Sequence, residues 1–351
     1  MDPVARRGRR APEGDGGRMA EGRVRRVTSA DVAREAGVSR ATVSYVLNDT
    51  PHQSIPAETR RRVLEAAARL DYAPSAAART LRSGRSDVVL CLLPDWPVGP
   101  EVGALLGNLS AALARRGMTF VAHPSTREDR PIAEVWKAIT PAAVLAFEDL
   151  SAAEVAAMRA AGVASLVALL GRSRQRPGEL EVPQQRVGRL QAEHLGALGH
   201  LRLGYAYPDD RRVAIFADPR RDGARAACAG LGLPAPVTRT VPLDADAAAA
   251  AVRDWRDAGV TGVCAYNDEV ALAVLAGLRA CGLVAPGDLA VIGVDDIVAA
   301  RLADPALSTV TTDQVALAEY LSETIVEVIG GRPAPPGPGE EITRVVRRAS
   351  T

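Results

Sequence analysis

Arg40, Ala41, Thr42, Ser44 and Tyr45 put a guanidinium, a methyl, two hydroxyls and a phenol on one short stretch that also carries Val43, Val46 and Leu47. At helical spacing the three aliphatic positions form a buried stripe and the polar set faces outward. A guanidinium can pair with a guanine edge, hydroxyls can bond phosphate oxygens, and a methyl or a ring can pack on a thymine methyl. The chemistry on offer is the reading of a DNA duplex. A second polar set lies far downstream. Arg220 stands three residues before Gly223 in DPRRDGARAA, where a loop-to-helix junction is expected; Asn267-Asp268 and Asp295-Asp296 each follow an apolar run. An arginine, an amide and a carboxylate brought together could bind vicinal hydroxyls of a sugar or a polyol-like ligand. Each also has a plainer role: Asn267 or Asp268 as a helix cap, Asp296 as a structural group, Arg220 as a surface charge with Arg221 the functional one instead.

The first set needs a helix-turn-helix to hold it. Thr28 with Asp31 three residues later is a capping-box-like helix start. Val32, Ala33 and Ala36 recur at helical spacing, Gly37 takes the sharp turn, and Val38 plugs the angle between the helices. Ser39 is an N-cap for the next helix, which is expected to run to about Asn48. A third helix over 57–70 is expected to bury Val63, Leu64, Ala67 and Leu70 and to carry Arg60, Arg61 and Arg62 outside. Charge agrees with a phosphate-binding module: residues 1–85 hold 17 arginines against 10 acids, whereas the whole chain is only +1. After Tyr72-Ala73-Pro74, residues 75–82 (with Ala77, Ala78 and Leu81) read as a short alanine-rich helix, marginal by itself, before Ser83-Gly84.

From Asp87 the pattern changes. The continuous apolar run 88–93 suits a strand buried on both faces of a parallel sheet. Further strands are expected at 119–122, 143–147, 164–170, 203–207, 262–266 and 290–294, with helical stretches between them. The β-α repetition argues a doubly wound α/β core, and its length argues two lobes. Ligands in such folds bind beyond the carboxyl ends of the strands.

The stretches VTSADVAREAGVSRATVSYVLN, AETRRRVLEAAARLDYAPSAAARTLRSGRS, EHLGALGH, AYNDEVALAVLAGLRACGL and LAVIGVDDIVAARLADPALSTV together resemble the LacI/GalR family of bacterial transcription regulators, over about residues 27–346. The resemblance implies an α plus α/β architecture. A helix-turn-helix three-helix domain (27–73) and a hinge helix (74–86) precede a two-lobe periplasmic-binding-protein-like core (87–346), with a disordered basic tail at 1–26 and a tail at 347–351. Lobe 1 would take about 87–186 and 314–331, lobe 2 about 187–311 and 340–346, with crossings near 184–187, 311–314 and 330–340. It also implies base reading by Arg40, Ala41 and Tyr45 and phosphate contact by Thr28, Ser39, Thr42, Ser44 and Asn48. The hinge would enter the minor groove with Ala77, Ala78 and Leu81, the leucine as an apolar wedge. Arg220, Asn267 and Asp295 match effector-binding positions. The implied partners are a near-palindromic double-stranded DNA operator, a small-molecule effector and a second copy of the chain.

The sequence departs from the family pattern in several places. Tyr45 replaces an arginine and cannot make a bidentate pair with guanine. Pro56 replaces a capping serine. In the first lobe the loop after Pro94-Asp95 reads Trp-Pro-Val-Gly-Pro, and Ala224 stands where an aromatic is usual, so an apolar first lobe and no sugar-stacking ring are expected. Trp96 reads as a packing residue or a stacking platform.

The remaining motifs point away from other functions. Cys91, Cys228, Cys264 and Cys281 have no paired metal spacing, and His52, His123, His194 and His200 form no catalytic motif. No phosphate-binding glycine loop or nucleophile elbow occurs, so neither enzyme, cofactor nor metal is expected. The chain has no apolar run of membrane-spanning length, and residues 1–26 lack the apolar centre of a signal peptide; a cytoplasmic, nucleoid-associated protein is expected. An effector-independent DNA binder with a vestigial cleft is the competing expectation.

Overall fold

The computed structural model describes residues 27–47, 54–72, 86–124, 131–170, 179–182 and 184–351, in two units, a head within 1–83 and a body within 84–351. Asn48, the hinge positions Ala77, Ala78 and Leu81, and the 1–26 tail lie outside the described residues.

The head has three helices, α1 (Ser29–Ala36), α2 (Arg40–Leu47) and α3 (Ala57–Arg69). The Thr28 N–H and hydroxyl both donate to the Asp31 carboxylate, at 3.0 and 2.7 Å. Gly37 takes φ +64°, and this left-handed turn lets the Val38 N–H donate back to the Ala33 carbonyl at 3.0 Å. Ser39 accepts from the Thr42 N–H at 3.0 Å and so caps α2. Val32, Ala36, Val43, Val46, Val63 and Ala66 form the core, with Val38, Leu47, Leu70 and Tyr72 packed against it. Leu64 departs from expectation: it is 49% exposed. Ala66, Ala67 and Leu70 recur at three, four and seven residues from Val63, whereas Leu64 is turned about 100° away from that stripe.

The body is two doubly wound lobes. In the first, a parallel sheet has the order β2-β1-β3-β4-β5. Its strands are β1 (Val88–Leu93), β2 (Thr119–Pro124), β3 (Ala143–Ala146), β4 (Ala164–Leu170) and β5 (Glu179–Val182). The helices α4 (Pro100–Arg115) and α12 (Gln314–Ile329) cover one face, through Leu109, Leu113, Leu317 and Leu321. The helices α5 (Ile132–Ile139) and α6 (Ala152–Ala160) cover the other, through Val135, Trp136 and Met158.

The second sheet has the order β11-β10-β9-β8-β6-β7. It comprises β6 (Leu203–Pro208), β7 (Val237–Val241), β8 (Gly262–Ala265), β9 (Ala290–Val294), β10 (Ser308–Thr312) and β11 (Thr343–Val346), parallel except for the antiparallel β10–β11 pair. On one face lie α7 (Gln184–Ala197) and α8 (Ala214–Gly230), on the other α9 (Ala245–Asp257) and α10 (Asp268–Ala280). A short α11 (Val298–Leu302) follows β9. Helices α7 and α8 meet backbone to backbone at Gly188 and Gly223; a Cβ on Gly188 would stand 1.7 Å from the Arg220 carbonyl oxygen. The chain leaves the first sheet after β5, returns to that lobe with α12 after β10, and comes back to the second sheet as β11.

Three sequence expectations are corrected here. Arg220 is not at a loop-to-helix junction: it lies inside the 17-residue α8, which continues through Pro219. Residues 347–351 are not a tail: Ser350 is fully buried, its hydroxyl donating to the Val291 carbonyl at 2.6 Å and accepting from the Ser308 N–H at 2.8 Å. The strands β5, β7, β10 and β11 were not expected at all.

Candidate DNA-reading helix and ligand cleft

On the head, the outward face of α2 presents Arg40, Ala41 and Tyr45, all exposed, with Tyr45 at 37%. Arg40 makes no ion pair with a described residue, whereas Arg34, Arg61 and Arg69 are held by Asp31, by Glu58 and Glu65, and by Glu35. Arg40 thus keeps its guanidinium free of acidic partners among the described residues, on the outward face of α2. The Ser39 and Thr42 hydroxyls lie 2.9 Å apart, a pair at the start of α2 where the helix dipole also favours a phosphate. Thr28 differs from the rest of the phosphate set, because both of its proton donors are committed to Asp31.

In the body, both sheets share one strand order and reverse direction of winding at their first strands, β1 and β6. The carboxyl ends beside those switch points face a cleft of about 500 Å³. Trp96 follows β1, Tyr266 and Asn267 follow β8, and Asp295 follows β9; all three sequence candidates, Arg220, Asn267 and Asp295, line this cleft. Arg220 is buried, with Nε donating to Gln184 Oε1 and Nη1 to the Tyr266 carbonyl, each at 2.8 Å. Its Nη2 lies 3.8 Å from Asp295 Oδ1, and its guanidinium sits 5.0 Å from the Tyr266 ring centre. Arg221 instead pairs with Asp218 and Asp222 and does not line the cleft. Asn267 is a cap as well as a lining residue: its Oδ1 accepts from the Val270 N–H at 3.0 Å, which leaves the amide nitrogen as its offer to a ligand.

The loop bearing Asp295 is strained and tightly held. Asp295 and Asp296 have φ of 108° and 52°, a region that costs a non-glycine residue roughly 1–3 kcal/mol. Three consecutive amides anchor it: Asp295 N–H to the Val310 carbonyl at 2.8 Å, Asp296 N–H to Thr309 Oγ1 at 3.3 Å, and Ile297 N–H to Asp268 Oδ2 at 3.0 Å. Asp268 is fully buried and also accepts from the Thr309 hydroxyl at 2.7 Å. Burial pushes its carboxyl up to about 7 despite those two donors, and the Asp295 and Asp296 carboxylates add to the rise. Burial likewise raises Asp295, with Arg220 opposing.

Sequence reasoning did not reach Glu101 or Phe216. Glu101 opens α4 and enters the cleft from the first lobe, accepting from Gln314 Nε2 at 2.5 Å. Burial and the Asp295 carboxylate push it up to about 7. Phe216 stands in the first turn of α8, in the second lobe, its ring 4.7 Å from that of Trp96, so the cleft carries an aromatic pair although Ala224 supplies no ring. The chain has only three phenylalanines, and that scarcity was the available signal. His194 and His200, which belong to no catalytic motif in the sequence, bond the hydroxyls of Thr351 and Thr261. Among the described residues no His/Cys/Asp/Glu group could hold a metal ion, and no helix is long and apolar enough to cross a membrane.

Residues 28–75 match the family model for bacterial regulatory proteins of the lacI family, and residues 192–351 match the periplasmic binding protein-like domain. The HTH-type transcriptional regulator MalR of Streptomyces coelicolor is 32% identical over 345 residues, spanning 92% of this chain and 96% of the relative. The HTH-type transcriptional regulator GalR of Escherichia coli (strain K12) is 29% identical over 330 residues, 91% of this chain and 92% of the relative. Among solved structures, the lac repressor dimer bound to operator and the anti-inducer ONPF shares the fold with a TM-score of 0.77 at 22% identity, covering 93% of this chain and 99% of that one. A complex of the transcriptional regulator CelR with cellobiose gives a TM-score of 0.62 at 26% identity, over 93% and 100% of the two chains. With the helix-turn-helix and the two-lobed core both in place and a relative 32% identical along nearly its whole length, the chain belongs to the LacI/GalR family of DNA-binding bacterial transcription regulators.

Proposed function

We propose that the protein is a cytoplasmic repressor that holds a near-palindromic operator as a homodimer and is controlled by a small, sugar-like effector in the interlobe cleft. The observation that carries this reading is the convergence of Arg220, Asn267 and Asp295 on one cleft at the switch points of both sheets. A donor cation, an amide nitrogen and a carboxylate there match the alternating donors and acceptors of a polyol. Two lobes facing one ligand can close differently with and without it, and that difference is what couples ligand to DNA. The solved complex of CelR with cellobiose supports a sugar-like effector. A strained loop held by three amides and a buried carboxylate favours a working cleft over a vestigial one, since strain of that kind persists where a site needs it. Two-fold pairing follows from half-site logic, in which each copy sets its α2 helix in one major groove.

Gel shifts against the upstream region of its own gene test the reading. Arg40→Ala should relax or abolish choice among operator sequences, while Thr42→Ala should weaken all sequences alike. Absence of salt-sensitive, sequence-selective binding at any palindromic site would sink the proposal. Calorimetry with a metabolite panel separates it from the effector-independent alternative, which requires that no ligand binding depend on Arg220 or Asp295.

A further inference from the structure

Behind the main cleft lies a smaller recess of about 100 Å³ that shares Trp96, Glu101, Phe216, Arg220 and Asp295 with it. The recess adds Gln184, Thr312 and Gln314, and its walls are otherwise apolar, including Leu93, Leu105, Phe147 and Leu317. Its charges do not balance. One guanidinium, Arg220, faces two carboxylates, Glu101 and Asp295, and it is already fixed by Gln184, the Tyr266 carbonyl and the Asp295 pair. Among the described residues Glu101 receives only the Gln314 amide. The other oxygen-bearing end of that amide, Gln314 Oε1, is buried and has no hydrogen-bond partner among the described residues. Carboxylates therefore outnumber cations at the inner end of the cleft, where the Gln184 amide nitrogen and the Thr312 hydroxyl add only neutral donors.

The outer chamber leans the same way. Asp209 and Glu269 line it without a cationic partner among the described residues, while Arg212 is taken up by Asp210 at 2.7 Å and Asp95 at 3.6 Å. A neutral hydroxyl seated in the recess supplies one donor and brings no cation to hold Glu101 in its ionised form against burial and the Asp295 carboxylate. An anion adds repulsion. An ammonium group supplies several donors and one positive charge, and so meets both Glu101 and Gln314 Oε1. A bound metal ion is not the answer, because no three ligand-type side chains gather there among the described residues.

Resting on the effector reading above, we infer that the effector is a hydroxylated compound bearing a cationic amine, seated with its nitrogen in the recess between Glu101 and Gln314 and its body along Trp96 and Phe216. The class includes amino sugars and amino alcohols. It goes beyond the sugar-like assignment by naming the charge that the recess selects.

The test uses the full-length protein and an isosteric trio: 2-aminoethanol hydrochloride, ethane-1,2-diol and glycolate, titrated at constant ionic strength with Trp96 fluorescence as the readout. Trp136 and Trp255 are buried, and Trp96→Phe identifies the signal. D-glucosamine, D-glucose and D-glucuronate repeat the comparison by calorimetry. The ammonium member of the small trio should half-saturate at a concentration at least about tenfold lower than the other two, the worth of one charged hydrogen bond. Glu101→Gln should remove that preference. The wild-type comparison decides by itself if the variant does not fold. Equal response to all three, no response to 2-aminoethanol, or tighter binding of the diol or the acid overturns the inference, and so does a preference that survives in Glu101→Gln. Sequence-selective DNA binding, measured on the same preparation, judges the regulator reading separately: its loss sinks that reading, whereas its presence without an ammonium preference sinks only the amine.

Discussion

Replacing Asp268 with asparagine should remove a pH dependence from the stability of the body. Asp268 is fully buried beneath the Asp295–Ile297 loop, and its carboxyl is pushed up to about 7 from an ordinary 3.8, first by burial and then by Asp295 and Asp296. A carboxyl raised on folding stabilises the fold fully below its unfolded value and loses that contribution as pH rises through its folded value. Between pH 4 and 7 the unfolded chain gives up this proton while the folded chain keeps it. At 1.36 kcal/mol per pH unit the loss amounts to roughly 4 kcal/mol by pH 7, after which the curve flattens. Asparagine carries no charge to bury. Its oxygen can still accept from the Ile297 N–H, and its nitrogen can donate to Thr309 Oγ1, whose own proton can turn toward the Val310 carbonyl 3.4 Å away. At pH 4 the folded wild type holds Asp268 as a neutral acid, so the exchange swaps one neutral hydrogen-bonding group for another, at a cost of about 1 kcal/mol or less; Asp268→Asn should lie close to wild type at pH 4 and be the more stable of the two at pH 8. Urea unfolding of both proteins in half-unit steps from pH 4 to 8 measures this. The difference between the two curves isolates Asp268 from Glu101, which is raised in the same direction, and from His194 and His200, which burial lowers. Parallel curves for the two proteins would refute the argument, because they would mean that Asp268 does not hold its proton in the fold.

Gly188→Ala should destabilise the body by about 3 kcal/mol or more, since the new methyl meets the backbone of α8 and not a flexible side chain; because α8 carries Arg220, effector affinity should fall in parallel, and thermal unfolding with calorimetry checks both. Gly37→Ala should cost about 1–2 kcal/mol in the head through its left-handed φ, read as weaker operator binding at raised temperature with the body's own unfolding unchanged. Ser350→Ala should cost about 1–3 kcal/mol by stranding the buried Ser308 N–H; a neutral result in urea would place residues 347–351 back among the dispensable ones.

What the sequence shows of this protein follows from where burial is two-sided. The runs at Val88–Leu93 and Ala290–Val294 are apolar throughout because helices cover both faces of their sheets, and they are legible as strands. Val237–Val241 is an edge strand whose Thr238 and Thr240 are exposed, so no apolar run marks it. Ser308–Thr312 is hidden for the opposite reason. It is interior, but its first two hydroxyls are satisfied by the chain end and by Asp268, so polar residues occupy core positions at no net cost. The head is legible almost whole because capping, turn and stripe all act within a few residues. The cleft is legible only in part, reaching Arg220, Asn267 and Asp295 but not Glu101 or Phe216, because its members come from five separated segments and each has a local excuse. Asn267 reads as a cap and is one; Glu101 reads as an acid in a helix's first turn and is that as well. Only the sheet order, which brings the ends of β1, β6, β8 and β9 to one place, turns these local roles into a shared one. The excess of carboxylates over cations in the inner recess follows from that assembly alone, and no window of the sequence contains it.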